Sequence, residues 1–185
     1  MNLHFIYGTV SSYKKDTLIY SISLSKNSGK KTFLIKPQIN NDNNNLLKNK
    51  CGNISVTVDL IIKNDDNIIN IYMLSEWYYN PLNIIYVSSC HLLTVEQINQ
   101  LRELVDNYGI TVICFGLKTK HDSVLYKSSK RLCEIADIIE ELPSICVQCN
   151  TYKAILNKKK IINDKEHYMA VCSHCYNNDN SNLVE

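Results

Sequence analysis

Apolar runs of strand length recur along the chain, and most of them end in a glycine, a proline or a group of polar residues. They cover residues 3–7, 31–37, 53–62, 82–87 and 110–115. The last two runs are continuously apolar, which is typical of strands covered on both faces. We expect a strand at each position, with a strand or a strand plus one helical turn at 53–62. Residues 68–74 are apolar enough to be buried.

Helical patterns lie between these runs. Thr94 and Gln97 have the spacing of a capping box, and Gly109 is placed to end the helix that follows. Its apolar stripe consists of Val95, Ile98, Leu101, Leu104 and Val105. Residues 18–24 form a second helix face, which a turn at 27–29 closes.

A third helix is expected to begin at Ser128 as its cap. It would carry Leu132, Ile135, Ala136 and Ile139 on its apolar face. Strands that alternate with helices predict a parallel α/β sheet, and such sheets bind ligands at the carboxyl ends of their strands. Three such ends are the loops after Tyr7, Val87 and Phe115. The asparagine-rich residues 39–50 and the polar residues 116–127 are expected to be loops, the first of them mobile.

The loop after residues 3–7 has part of the pattern of a phosphate-binding loop. Gly8 and Lys14 are six positions apart, as in GxxxxGK, where backbone N–H groups and the lysine hold phosphates at a helix N-terminus. Tyr13 replaces the second glycine, and Lys15 stands where a hydroxyl residue would bind the metal ion. Whether this loop holds a nucleotide is open at this point.

Four of the eight cysteines form two C-x-x-C pairs, Cys146 with Cys149 and Cys172 with Cys175. This spacing is that of a structural zinc ribbon, in which four thiolates close a tetrahedral shell. A hairpin between the pairs is expected, with strands at 152–156 and 167–171. Chance pairs and redox thiols are the alternatives, and His174 is expected to be a bystander.

Composition adds limits. The chain of 185 residues fits one ordinary domain with a small appendage, and 45% hydrophobic residues permit a real core. A formal net charge of +2 gives no support for binding to nucleic acid or a membrane. We see neither a secretory signal nor an apolar run long enough to cross a bilayer, so a cytoplasmic location is expected.

The chain resembles the thymidine kinase family of the zinc-containing, cellular and bacterial type, over about residues 1–176. The resemblance is densest in LLTVEQINQLRELVDNYGITVICFGLKT and KSSKRLCEIADIIEEL, includes KKTFLIKP and continues through both cysteine pairs. It implies a RecA-like, P-loop kinase type of parallel sheet over residues 1–142. Residues 143–185 would form a zinc-ribbon subdomain with a lasso loop and a disordered tail. The family is usually tetrameric, which implies a homo-oligomer or a hetero-assembly with an active paralogue.

The positions that would bind ATP and magnesium differ from the family pattern. The family loop reads GxMxSGK followed by Thr or Ser, and this chain has Gly8, Val10, Ser12 and Lys14 in register. It departs from the pattern at Tyr13 and Lys15. Tyrosine brings a bulky ring where the backbone should approach phosphate, and lysine would repel Mg²⁺.

The family's next strand ends in Asp-Glu, and this chain has Ser88 and Ser89 there. The Asp helps to hold magnesium, and the Glu is taken as the base for the nucleoside 5′-hydroxyl. A serine hydroxyl cannot serve as that base near neutral pH.

The nucleoside positions differ as well. Residues 116–122 of this chain align with the family's GLRTDFR. His121 takes the place of a phenylalanine that packs by the thymine, and Asp122 takes the place of an arginine. The family's Asp-x-Arg becomes residues 40–42, and a Ser-Arg pair becomes Val56 and Thr57. In the lasso, Tyr168 remains although a glycine pair before it is lost.

These departures support a thymidine-kinase-like protein with little or no kinase activity, which would persist as a binding or assembly subunit or as a decaying gene product. An alternative is a divergent ATP-dependent kinase of thymidine or another deoxynucleoside, in which His91 or His121 acts as the base. A third hypothesis is a zinc module that binds nucleic acid through the lysines at 158–160, with Tyr152 and Tyr168 stacked on bases. Zinc is the expected structural cofactor, and ATP and Mg²⁺ are expected only if binding or activity is retained.

Overall fold

A computed structural model describes residues 1–10, 12–39 and 44–178. Its central feature is a six-stranded sheet in which every pairing is parallel. Its strands are β1 (Leu3–Gly8), β2 (Thr32–Pro37), β5 (Leu60–Ile62), β6 (Ile84–Ser88), β7 (Thr111–Leu117) and β8 (Ile138–Glu141). They lie in the order β5-β2-β6-β7-β1-β8. No helix among the described residues is long and apolar enough to cross a membrane.

The described residues contain five helices: α1 (Lys14–Asn27), α2 (Ile68–Leu74), α3 (Val95–Tyr108), α4 (Lys127–Ile135) and α5 (Ser173–Asn177). Short 3-10 turns lie at Glu76–Tyr78 and Cys90–Leu92. Two antiparallel strand pairs also lie within the described ranges, one of β3 (Leu46–Lys48) with β4 (Ser55–Thr57) and one of β9 (Leu156–Ile162) with β10 (Lys165–Val171).

Alternating side chains divide the core into two layers. One face of the sheet, with Phe5, Ile85 and Val112, packs against α2, α3 and α4. The opposite face, with Ile6 and Tyr86, packs against α1. Since successive side chains of a strand point to opposite faces, continuously apolar strands are needed for a sheet covered on both sides. The predicted α/β class is confirmed.

The helix after β6 is built as its sequence indicated. Thr94 Oγ1 accepts a hydrogen bond from the N–H of Gln97, and Gln97 Oε1 accepts one from the N–H of Thr94, each at 3.1 Å. Gly109 ends α3 with φ at 67°, in the left-handed region that glycine adopts without a steric cost.

Several local predictions were wrong. Residues 44–50 contain β3, and 53–62 form two short strands without a helical turn. Ser128 is not the cap of α4, because the helix begins after Tyr126 and the Ser128 hydroxyl donates to the carbonyl oxygen of His91 at 2.8 Å. That helix ends at Ile135, and Ile139 belongs to β8.

In the C-terminal hairpin, β10 confirms the strand expected at 167–171, whereas its partner begins only at Leu156. The expected disordered tail beyond residue 178 and the comparison at residues 40–42 lie outside the described residues.

Candidate functional site

The carboxyl ends of β1, β6 and β7 meet at one edge of the sheet, as the sequence predicted. A cavity of ≈ 60 Å³ lies there between the start of α1 and the end of β6. Its lining residues are Lys14, Lys15, Leu18, Ser88, Ser89, His91, Phe115 and Gly116. The structure therefore brings the predicted phosphate-loop lysines together with the predicted magnesium and base positions.

The loop between β1 and α1 is closed by hydrogen bonds among its own residues. The carbonyl oxygen of Thr9 accepts from the N–H of Ser12 at 3.1 Å, from Ser12 Oγ at 3.0 Å and from Lys14 Nζ. Lys14 Nζ also donates to Ser12 Oγ at 2.8 Å, and the N–H of Lys14 donates to the carbonyl oxygen of Ser12 at 2.8 Å. These donors therefore point at protein oxygen atoms, whereas a phosphate loop turns such groups toward the anion.

Gly8 lies directly under this closed loop. A Cβ atom at Gly8 would lie 2.3 Å from Ser12 Oγ and 2.8 Å from the carbonyl oxygen of Leu142. Such contacts are too short for real carbon atoms, so the tight fold of the loop requires glycine at this position.

The pKa of Lys14 is lowered to about 8, mainly by burial; Cys90 acts in the opposite direction and the charge of Lys15 in the same direction. Loss of solvent disfavours the charged form of an amine, which is the reason for the direction of the effect. Lys14 therefore lies within reach of titration near neutral pH.

Tyr13 does not fill the loop, although its ring was expected to obstruct phosphate. Its side chain is 61% exposed, and Lys50 Nζ lies 5.2 Å from the centre of its ring. The loop is closed around the carbonyl oxygen of Thr9 instead. Lys15 is exposed beside it.

The end of β6 presents two serines. Ser88 is buried, and Ser89 adopts a left-handed backbone with φ at 55° and ψ at 39°. A residue with a Cβ atom occupies this region at a cost of roughly 1 kcal/mol, so the turn into the 3-10 segment is a strained one. None of the described residues that line the adjoining cavity is an aspartate or a glutamate.

His91 is held against β7 in one tautomer. Its Nδ1 accepts a hydrogen bond from the N–H of Leu117 at 3.2 Å, which leaves the proton of the neutral ring on Nε2. Burial lowers the pKa of His91 to about 4, and the charge of Lys14 contributes in the same direction. With Nδ1 engaged and Nε2 protonated, the ring has no lone pair with which to act as a base.

The predicted nucleoside positions lie on the opposite side of the loop after β7. The rings of His121 and Tyr168 are 6.0 Å apart, and the Tyr168 hydroxyl donates to Glu166 Oε2 at 2.7 Å. Asp122 is exposed and accepts from the N–H of Val124 at 3.1 Å within its own turn. The β9–β10 hairpin and the loop after β7 are therefore in contact.

A larger cavity of ≈ 360 Å³ separates this hairpin from the sheet. It is lined by Tyr7, Gly8, Thr9, Lys118, Thr119, Glu141, Ile155, Leu156 and Asn157. Lys118 Nζ lies 5.2 Å from the ring centre of Tyr7, and Lys153 Nζ binds Glu141 Oε2 at 2.6 Å. Glu141, the carboxylate among these described lining residues, is thus paired with a lysine.

The four predicted zinc ligands come together at the base of the hairpin. The sulfur atoms of Cys146, Cys149, Cys172 and Cys175 all lie within 4.8 Å of one another, and those of Cys149 and Cys172 are 3.9 Å apart. A tetrahedral zinc ion with Zn–S bonds of about 2.3 Å separates its sulfur ligands by about 3.8 Å. The cysteine group can therefore hold a zinc ion.

Local structure explains how each cysteine pair turns inward. The N–H of Asn150 donates to the carbonyl oxygen of Cys146 at 2.9 Å, which closes a turn around the first pair. Cys172 caps α5, and its sulfur accepts from the N–H of Cys175 at 3.5 Å. Both pairs thus direct two sulfur atoms to one point.

The thiols of this group do not behave as independent acids. Burial opposes ionisation of Cys146, but hydrogen bonds from the backbone N–H groups of Cys172, Cys149 and Gln148 outweigh that effect and lower the pKa of Cys146 to about 6. Burial and the neighbouring thiols raise the pKa of Cys175 to about 12. Close thiolates repel one another, and a divalent cation removes that repulsion.

The sequence reading missed Asn157, a buried residue of β9. Its Oδ1 accepts from the N–H of Val10 at 2.9 Å, and its Nδ2 donates to the carbonyl oxygen of Thr119 at 2.9 Å. Asn157 follows the apolar Leu156 within the strand. Because side chains of a strand alternate between its two faces, the sequence pattern predicts that a polar residue at this position is exposed.

Comparisons with known proteins agree with this arrangement. A family model described as thymidine kinase matches residues 1–176. A thymidine kinase of Pasteurella multocida is 29% identical over 181 residues, which cover 92% of this chain and 93% of the relative. The thymidine kinase of Enterobacteria phage T4 is 28% identical over 78% of this chain and 74% of its own length. That of Encephalitozoon cuniculi is 24% identical over 99% and 90%.

Proposed function

This chain belongs to the thymidine kinase family, and we propose that it keeps the fold of that family without appreciable transfer of phosphate to thymidine. The observation that carries the proposal is the absence of a carboxylate from the described lining of the cavity at Lys14, Ser88 and Ser89. Phosphoryl transfer depends on metal ions that neutralise developing charge and on a group that orients the nucleophile. Serine hydroxyls supply neither a magnesium carboxylate nor a base.

The closed loop supports the same proposal. Lys14 is the phosphate-loop lysine by its position, and its ammonium is hydrogen-bonded to Thr9 and Ser12. Binding of a triphosphate would have to break these bonds and reopen the loop. Loss of a general base alone typically lowers the rate by about 10²–10⁴, and loss of metal positioning adds to that.

A second candidate, a kinase with relocated groups, needs a base near Ser89. His91 is the histidine in that cavity, and the hydrogen bond from Leu117 to its Nδ1 makes it a donor. His121 is exposed and faces Tyr168 on the hairpin side. The geometry therefore favours loss of activity over relocation.

The third reading, nucleic-acid binding, finds little support in residues 158–160. Lys158 Nζ donates to the carbonyl oxygen of Cys175 at 3.0 Å, and Lys159 binds Glu166. Of these three lysines, only Lys160 is exposed. They therefore tie the hairpin together rather than present a row of positive charge.

In this proposal the cysteine group holds zinc as a structural ion, which would stabilise residues 143–178 beside the sheet domain of residues 1–142. Four thiolates leave no open position for a substrate or water, so zinc would supply folding energy and no chemistry. A cytoplasmic location and assembly with further copies or with an active paralogue belong to the same proposal. Tyr20 and Leu24, exposed on α1, offer apolar surface for such an assembly.

The direct test is an assay of the purified, zinc-loaded chain with ATP, Mg²⁺ and thymidine. We expect thymidylate at the level of a blank without protein, while the Pasteurella multocida relative in the same buffer serves as the positive control. Turnover that the Lys14→Ala variant abolishes would contradict the proposal. Melting curves with ATP–Mg²⁺ or thymidine add a binding readout, since a ligand specific for the folded state raises the melting temperature.

A further inference from the structure

The closed loop after β1 is anchored to the cysteine-bearing subdomain by a buried asparagine. Asn157 is 3% exposed, accepts from the N–H of Val10 and donates to the carbonyl oxygen of Thr119, both at 2.9 Å. Its side chain thus joins three segments that are far apart in sequence. A buried amide with both ends satisfied is costly to move, because each polar group left unpaired stays out of water without a hydrogen-bond partner.

A second anchor lies next to the first. Thr9 Oγ1 and Ser144 Oγ are 2.5 Å apart, and the carbonyl oxygen of Ser144 accepts from the N–H of Ala154 at 2.8 Å. Ser144 stands two residues before Cys146, and Ala154 lies between the cysteine pairs. Both anchors of Thr9 and Val10 therefore come from the part of the chain that the cysteine group organises.

Strand geometry connects the anchor to the cysteines. Leu156 packs against the buried cysteine cluster, and Asn157, the next residue of β9, is bonded to the loop. Neighbouring side chains of a strand point to opposite faces, so one dipeptide contacts both sites. Leu156 also pairs with Val171, which is buried in the cysteine cluster beside Cys172.

We infer that metal binding at the four cysteines holds Thr9 and Val10 in the closed conformation, with Asn157 as the positioning residue that connects the two sites. An ordered cysteine group fixes Leu156 and hence the direction of Asn157. Without the metal, the four sulfur atoms lose the bonds that would hold them together, the base of the hairpin loosens, Asn157 leaves Val10, and the loop opens. The inference rests on metal binding at this site and does not depend on the loss of kinase activity.

The test is amide hydrogen exchange, measured by NMR at Val10, in the intact zinc-loaded chain and after removal of zinc with a chelator. We expect exchange at Val10 to rise at least about tenfold on removal, which corresponds to loss of an interaction worth roughly 1.4 kcal/mol. Zinc-loaded Asn157→Leu should show the same rise, because leucine has a similar volume and no acceptor. Zinc removal should then have no further effect on Val10 in that variant.

Lys160→Ala is the matched control, since Lys160 is exposed on the same strand and should leave exchange at Val10 unchanged. Amides of Leu101 and Leu104 in α3 report whether each protein is folded. If Asn157→Leu fails that criterion, Asn157→Ala replaces it. Unchanged exchange at Val10 in the folded Asn157 variant would overturn the inference. So would removal of zinc that speeds amide exchange in β10 and leaves exchange at Val10 unchanged. Turnover in the kinase assay would leave it intact.

Discussion

The carbonyl oxygen of Thr9 accepts a hydrogen bond from the ammonium group of Lys14, so the lysine at the predicted phosphate-loop position is bound within its own loop. Burial there lowers the pKa of Lys14 to about 8 from its ordinary value of 10.5. A lysine that is charged, partly buried and satisfied by backbone oxygen is a structural group. Its titration therefore becomes visible in the stability of the fold.

Stability is expected to depend on pH through Lys14. Since the folded pKa lies below that of the unfolded chain, the unfolded chain holds more protons between pH 8 and 10.5. The free energy of unfolding of the wild type should therefore rise with pH through this interval, relative to Lys14→Met. We expect the free energy of unfolding to gain about 2 kcal/mol relative to the variant. This is less than the full difference in pKa would give, because Lys14 is partly accessible to solvent. Urea unfolding of both proteins at about pH 7 and about pH 10 measures it.

Leu24→Ala is the control, because Leu24 is exposed on the same helix and the change removes no titratable group. The difference between this variant and the wild type should be the same at both pH values. A Lys14→Met difference that also stays constant would show that Lys14 is solvated and that the loop is open in solution.

His91 is expected to stabilise the fold as a neutral ring. His91→Leu leaves the N–H of Leu117 without its acceptor and should cost about 1–3 kcal/mol near neutral pH. Because burial, with the charge of Lys14, lowers the pKa of His91 to about 4 from 6.5, the stabilisation is complete above pH 6.5 and is lost as pH falls toward 4. The difference between wild type and variant should shrink over that interval in urea unfolding experiments.

A nitrogen-detected NMR spectrum tests the tautomer directly, with the proton on Nε2 of His91 as the expected result. His121→Leu is the comparison variant, because His121 is exposed and should change stability by less than about 0.5 kcal/mol. A proton on Nδ1 of His91 would reopen its candidacy as a base and count against the proposed inactivity.

Sequence patterns predicted the fold wherever local chemistry and burial agree. The box of Thr94 and Gln97 and the continuously apolar β6 and β7 are examples. The sequence patterns failed at β8, where they predicted helix. Ile135 and Ile139 have helical spacing, and the strand ends in two glutamates at the edge of the sheet. Edge strands are only partly covered, so their apolar pattern is weak.

At the candidate site too, local features were predictable and contacts between distant segments were not. The spacing of the cysteines was sufficient to identify their group, since ligand spacing within each pair is a local property. The attachment of the loop after β1 to β9 was not predictable, because Asn157 reaches Val10 across 147 positions. The outward direction of Tyr13 also depends on neighbours such as Lys50 that its own segment does not contain.

Zinc content tests the cysteine group. We expect a single zinc ion per chain, released by chelation with a fall in melting temperature, since the metal stabilises only the folded form. Cys172→Ser should lose most of the metal, because serine is a poor zinc ligand. Cys51→Ser is the control, as Cys51 is exposed and outside the group. Full zinc content in Cys172→Ser, measured by elemental analysis, would exclude the four-cysteine site.

Gly8 is expected to tolerate no side chain while the loop is closed. Gly8→Ala places a carbon atom 2.3 Å from Ser12 Oγ and 2.8 Å from the carbonyl oxygen of Leu142, and should cost about 1–3 kcal/mol in urea unfolding. Ser12→Ala alone should cost about 1 kcal/mol through its lost hydrogen bonds. Combined with Gly8→Ala, it should recover only part of the loss, because the contacts with the Ser12 Cβ atom and Leu142 remain. Full recovery of stability would mean that the alanine Cβ atom clashes with the serine hydroxyl alone. A Gly8→Ala variant as stable as the wild type would mean that the loop is open.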